Sequence, residues 1–138
     1  MVCPNCHQAK TDVVNSRAKK NTSAVWRRRL CPQCGSLFTT HEKIDMASLY
    51  TVSNGKKPVA FNPARLLLSL LDVLSYTGHA PEDAYWLSET IQEKLIAIQV
   101  NDTTVLRTTV VTIAHDTLLA YDELAGRAYL AKHPLKRA

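Results

Sequence analysis

The sequence predicts an α+β protein in two parts, a small β module over residues 1–45 and a mostly α-helical domain over residues 46–138 that opens with a short β-hairpin. Three observations carry this. Two Cys-x2-Cys pairs, Cys3/Cys6 and Cys31/Cys34, bracket a segment with few large apolar residues. Residues 1–45 hold eight Lys/Arg against three Asp/Glu, and residues 46–138 balance at nine of each, so the whole net charge of +5 lies in the first part. From Pro63 onward, apolar residues recur at helical spacing.

A module this short cannot build a self-sufficient core and needs a metal or disulfides to fold. The spacing C-x2-C-x24-C-x2-C supplies four soft ligands from two tight turns, which suits a tetrahedral zinc. Pro4 and Pro32 preset each turn, and Gly35 permits a positive φ after the last cysteine. The expected ligands are Cys3, Cys6, Cys31 and Cys34, holding a structural zinc. His7 and His41 are then surface or supporting residues, because the ligand set is complete without them.

Between the cysteine pairs lie Arg17, Lys19, Lys20, Trp26, Arg27, Arg28 and Arg29, the expected DNA contacts. The run Val25–Leu30 leads straight into Cys31, so the metal anchors the arginines. Strand alternation sends Arg27 and Arg29 to one face and Arg28 to the other. Arginine suits phosphate and guanine alike. Six cations on phosphates would give a slope of log K on log salt of about −5. For Trp26, packing over the sheet is the first expectation and stacking on a base the second.

In the second part, Leu49–Val52 reads as a strand, 53–56 as a turn, and Lys57–Phe61 as a return strand limited by Pro58. Asn62-Pro63 starts a Leu-rich helix over Pro63–Thr77, expected at the centre of the core and closed by a left-handed Gly78. A second helix is expected over Pro81–Ile98, with Trp86, Leu87, Ile91, Leu95 and Ile98 at helical spacing. A third is expected over Thr104–Ala120, with strand competing at Val105–Ile113, and with Val105, Val110, Ile113, Leu118 and Leu119 facing the core. A fourth covers about Asp122–Lys132. The chain has no apolar run long enough for a membrane span and no signal pattern at its start, so a protein of the cytoplasm is expected, with no membrane partner. It has no carboxylate cluster for two metals and no nucleophile–base pair, so neither a nuclease nor a nucleotide hydrolase is expected.

The motifs Cys3-Pro4-x-Cys6, Val14-Asn15-Ser16-Arg17, Trp26-Arg27-Arg28-Arg29-x-Cys31-x-x-Cys34 and Phe38-Thr39-Thr40-His41-Glu42 resemble the zinc ribbon of the NrdR family. These are bacterial transcriptional repressors of ribonucleotide reductase genes. The family pattern is close to CPxC, DSR, RRRR-x-CxxC and RFTTxE. Here Asn15 stands for the usual Asp, Trp26 for the first of four arginines, and Leu37 for an Arg. Residues 46–138 are more loosely similar to that family's ATP-cone, with Val52 where the cone usually has a Lys.

The resemblance implies a nucleotide site at Ser53, Asn54, Gly55, Lys56, Lys57, Phe61 and Arg65. From the residues alone, this stretch reads as a solvated hairpin, although a turn, two ammonium groups and a helix start at Asn62 can bind phosphates. Lys94 or Arg107 is a further phosphate candidate, and Tyr50 and Phe61 are expected in the core first, with a place against adenine as the second reading. The resemblance further implies ATP and dATP as effectors, with Mg2+ as a candidate companion. It implies a homo-oligomer, dimer or higher, whose size changes with the nucleotide, a double-stranded operator, and a place near the bacterial nucleoid. The rival is a zinc-ribbon DNA-binding adaptor whose helical domain binds a protein partner and no nucleotide.

Overall fold

The computed structural model describes residues 1–99 and 101–135, so residues 100 and 136–138 of the expected second domain lie outside the described residues. The chain divides into two compact units, Met1–Ile44 and a second starting at Asp45. The first is a small β-sheet carrying the four cysteines, the second mostly helical, so the fold is α+β.

In the first unit β1 (Asp12–Ala18), β2 (Val25–Leu30) and β3 (Leu37–Glu42) form an antiparallel sheet in the order β1-β2-β3. All seven residues of β1 are exposed. Only Cys3, Ala24 and Cys31 are buried among the apolar residues of this unit. The sheet therefore has no core of its own on either face.

The second unit begins with a single helical turn, α1 (Met46–Leu49), capped by the Asp45 carboxylate, which accepts from Ala47 N at 3.1 Å. Leu49 thus ends a helix rather than opening a strand. The strand is β4 (Thr51–Ser53), which pairs antiparallel with β5 (Val59–Ala60) and parallel with β6 (Thr104–Leu106). Thr51 and Thr104 face each other, hydroxyl to hydroxyl at 3.3 Å. The helix expected over Thr104–Ala120 therefore splits. Its β-branched start completes the sheet, and α4 (Arg107–Tyr121) follows.

α2 (Pro63–Leu74) starts as its cap signal requires, with Asn62 Oδ1 accepting from Arg65 N at 3.1 Å. Gly78 does not adopt the left-handed conformation expected of it. The helix ends earlier, through Ser75 and a bond from Thr77 N to Leu74 O at 2.8 Å. α3 (Ala80–Ile98) and α5 (Glu123–Lys132) complete the unit. The core joins α2, α3, α4 and α5 through Leu70, Leu74, Ile91, Leu95, Leu118 and Tyr129. Some periodic apolar residues lie outside it: Trp86, Ile98 and Leu119 are exposed. On α3 the buried stripe is Ala80, Ala84, Leu87, Ser88, Ile91 and Leu95. Trp86 lies about 100° around the helix from Leu87, off that stripe.

Asp122 joins α4 to α5. Its Oδ1 accepts from Ala125 N at 2.9 Å and from the Tyr76 hydroxyl at 2.7 Å. The hydrogen bond to Asp122 pushes Tyr76 up to about 12, and the same bond, with the Ala125 amide, holds Asp122 below the usual carboxylate range. The raised tyrosine stabilises the fold below its ordinary value and stops doing so as pH rises through about 12. The lowered aspartate stabilises it above the ordinary carboxylate range, and that contribution fades as pH falls through its folded value. Tyr76→Phe is expected to lower the melting temperature at neutral pH and to flatten its decline in alkali, as read by circular dichroism across pH.

Candidate metal centre and nucleic-acid face

The two knuckles have matching backbones. Cys3 N donates to Gln8 O at 2.9 Å and His7 N to Cys3 O at 3.0 Å. Cys31 N donates to Ser36 O at 2.9 Å and Gly35 N to Cys31 O at 2.9 Å. His7 and Gly35 are equivalent, each following the second cysteine of its pair with positive φ, 60° and 72°. In the first knuckle a histidine carries the left-handed conformation that glycine carries in the second. Asn and His tolerate this region better than most residues, which is a structural reason for His7 beyond ligation. Gly35→Ala is expected to weaken zinc binding by about 1 kcal/mol, or about fivefold, from the cost of placing a Cβ in the left-handed region. Competition with a chromogenic chelator measures it.

The four sulfurs lie within 4.8 Å of one another. Cys3 to Cys34 is 3.7 Å and Cys6 to Cys31 is 3.6 Å. Zinc–sulfur bonds of about 2.3 Å in a tetrahedron place sulfurs about 3.8 Å apart, so the donors fit zinc in number, chemistry and spacing. The site is closed by four thiolates, which makes the zinc structural. Asn5 N donates to Cys3 Sγ at 3.4 Å and Asn5 Nδ2 to Cys34 Sγ at 3.6 Å, tying one knuckle to the other. The Ser36 hydroxyl, 3.0 Å from Cys34 Sγ, holds that thiol down to about 5, helped by the Ser36 and Asn5 N–H groups. At Cys6 the Gln8 amide pulls downward, but desolvation and the three neighbouring sulfurs outweigh it and push the thiol up to about 12. The cluster therefore resists full ionisation until a dication is present.

The strand register places the basic residues. Arg27 pairs with Ser16 and Thr40, Arg28 with Asn15 and Thr39, Arg29 with Val13 and Phe38, and Trp26 with Arg17 and His41. Arg27 and Arg29 share one face, and Trp26 and Arg28 share the other. The first face is internally satisfied. Arg27 forms an ion pair with Glu42 at 2.9 Å, and Arg29 donates to Thr40 Oγ1 at 3.3 Å and to Thr11. On the second face Arg28 donates to Thr39 Oγ1 at 3.2 Å. Among the described residues, the side chains of Arg17 and His41 have no hydrogen bond or ion pair. A hollow of about 310 Å³ opens beside Arg17, Ala18, Lys19, Trp26 and His41. Lys19 and Lys20 sit exposed at the β1–β2 turn.

A register shift between Val13 and Asn15 makes Val14 a bulge. Uninterrupted pairing would set Arg17 opposite Val25, on the face of Arg27. The extra residue moves it opposite Trp26. Neither the bulge nor the partnership of Arg17, Trp26 and His41 was visible from alternation within β2 alone.

In the second unit, Ser53 ends β4, and Asn54, Gly55, Lys56 and Lys57 lie in the β4–β5 loop, with Gly55 at φ 70° and Ser53 Oγ donating to Lys56 O at 3.5 Å. Arg65 is exposed in the first turn of α2. Phe61 and Tyr50 are 3% and 5% exposed and belong to the core, so their rings are spent on packing. Lys94 Nζ donates to Thr117 Oγ1 at 2.8 Å, and Arg107 Nη1 to Pro134 O at 3.4 Å. Among the described residues, no helix is long and apolar enough to cross a membrane.

Residues 1–42 match the family described as transcriptional repressor NrdR-like, N-terminal domain, a zinc ribbon. Proteins named transcriptional repressor NrdR are similar over longer stretches. That of Lactobacillus helveticus is 42% identical over 67 residues, 49% of this chain and 43% of its own length. That of Thermus thermophilus is 42% identical over 71 residues, 51% and 46% of the two chains. That of Acidiphilium cryptum is 39% identical over 74 residues, 54% and 49%. The chain thus spans about half the length of the curated relatives it matches. These stretches are longer than the ribbon unit, so they reach into the second unit.

Proposed function

We propose that this chain, whose residues 1–42 match the NrdR-like zinc-ribbon family, is a DNA-binding transcriptional repressor, not an enzyme, acting in the bacterial cytoplasm. The observation that carries the reading is the ribbon itself: a four-cysteine cluster that fits zinc, with a basic strand running straight into Cys31. The relatives are named as repressors, and the excess charge of the chain lies beside the metal, where a polyanion would meet it.

The finer reading is repression of ribonucleotide reductase genes, with ATP or dATP bound near Ser53–Lys57 and Arg65 changing the oligomer and hence access to the operator. An exposed loop with two lysines beside a capped helix start supports phosphate binding there. Light scattering with no nucleotide, with ATP and with dATP, each with and without DNA, tests it. Nucleotide-dependent size and DNA retention are expected, and an unchanged oligomer with no bound nucleotide would overturn the sensor.

One observation favours the adaptor reading. Tyr50 and Phe61, the aromatic candidates for an adenine platform, are both in the core. On that reading the ribbon binds DNA and the helical unit binds a protein, and calorimetry with ATP and dATP shows no heat.

A further inference from the structure

The two faces of the ribbon sheet differ in chemistry. On one, both arginines are committed within the sheet: Arg27 to Glu42, and Arg29 to Thr40 and Thr11. These bonds tie β2 to β3 and to the segment entering β1. They leave one positive charge offset and the other guanidinium occupied. On the opposite face, Arg17, Trp26 and His41 form a row across the three strands, with Arg28 in the next row. That face has a hollow beside the indole, and two of its side chains have no partner in the sheet.

The Val14 bulge is the independent sign that this row is built. Without it, Arg17 would join the already satisfied face. A bulge disrupts the ladder locally, and a sheet without a core has little packing to offset that. Its consequence here is to bring a cation beside the half-buried ring of Trp26.

We propose that the ribbon docks on duplex DNA through the Arg17–Trp26–His41 face, with Arg17 and Arg28 on phosphates and the indole of Trp26 against the sugar–base surface between them. This rests on the DNA-binding reading above and assigns the face. Arg27 and Arg29 are positioning residues that fix the strands. Two guanidinium groups and an aromatic ring side by side match the alternation of charged phosphate and apolar sugar along a strand of DNA. The face with Glu42 would bring a carboxylate toward the phosphates.

The test uses the full chain carrying Trp86→Phe, which leaves Trp26 as the single tryptophan. A mixed-sequence duplex oligonucleotide is titrated at several salt concentrations, following indole emission and anisotropy of the labelled duplex. Zinc content and thermal melting of every variant report folding. The expected result is a change in Trp26 emission on binding, and a fall of about 0.9 in the salt slope for each of Arg17→Ala and Arg28→Ala. Glu42→Gln removes the acid from the opposite face while keeping an oxygen that can accept from Arg27, and is expected to leave affinity and slope unchanged. Three results overturn the proposal. They are unmoved Trp26 emission, a slope that rises with Glu42→Gln, or a slope that falls with Arg27→Ala in a zinc-loaded variant while Arg17→Ala leaves it alone. Failure of the parent protein to bind duplex DNA at low salt is a separate outcome, and it overturns the DNA reading together with this face.

Discussion

Chelating the zinc, or replacing Cys31 with Ser, is expected to unfold residues 1–44, abolish DNA binding and leave the helical unit folded. The first unit buries only Cys3, Ala24 and Cys31, and two of these three are metal ligands. Ordering its backbone costs about 1–2 kcal/mol per residue, which three strands with no buried residue among them cannot recover from apolar burial. A structural zinc contributes an apparent stabilisation of about 10–16 kcal/mol, the scale required. Among the described residues the second unit has its own core of eighteen buried residues, from Met46 to Tyr129, none of them a metal ligand. Amide spectra of the full chain before and after chelation should lose dispersion for residues 1–44 and keep it for the rest. Protons compete with zinc for the thiolates, so the same transition is expected as pH falls, with one zinc released per chain. Ribbon resonances that stay dispersed without metal would contradict this.

The same contrast explains what was legible in the sequence. The zinc ligands could be read directly, because a tetrahedral site needs four donors and the two Cys-x2-Cys turns present them by local geometry alone. The cap at Asn62 was equally local. Alternation within β2 was enough to separate Arg28 from Arg27 and Arg29. Relations between distant segments were not readable. β4 and β6 pair in parallel across about fifty residues, so nothing near Thr104 announced a strand partner. The Val14 bulge sits in a strand with no glycine or proline to mark it. Tyr50 and Phe61 illustrate a further limit: an aromatic ring suits a ligand or a core, and only packing decides which. On α3 the buried face is set by the small residues Ala80, Ala84 and Ser88 as much as by the large ones, and so Trp86 lies outside.

Gly126→Ala is the substitution in the helical unit expected to do most harm for least change. α4 and α5 are joined by Asp122 alone, so the two helices turn back on each other within one residue. Gly126, in the first turns of α5, meets Leu119 in the last turn of α4. A Cβ there would lie 2.7 Å from Leu119 Cα and 2.8 Å from Leu119 N. Backbone atoms cannot rotate away as a side-chain tip can, so the helices must separate. Separation withdraws Ala125 and Tyr129 from the core and strains the Asp122 bonds to Ala125 N and Tyr76. Alanine gains about 1 kcal/mol over glycine in helix propensity, which opposes the clash. Overpacking costs about 1–3 kcal/mol or more, and contact with rigid backbone belongs at the upper end, so a net loss of about 2 kcal/mol is expected. In a domain this size each kcal/mol moves the melting temperature by about 4–8 °C. Gly78→Ala is the control, because nothing lies within 4 Å of its Cβ and its φ is not positive. It should melt at or slightly above the parent, while Gly126→Ala melts well below it. If the two melt together, the close approach of α4 and α5 is not what the glycine serves.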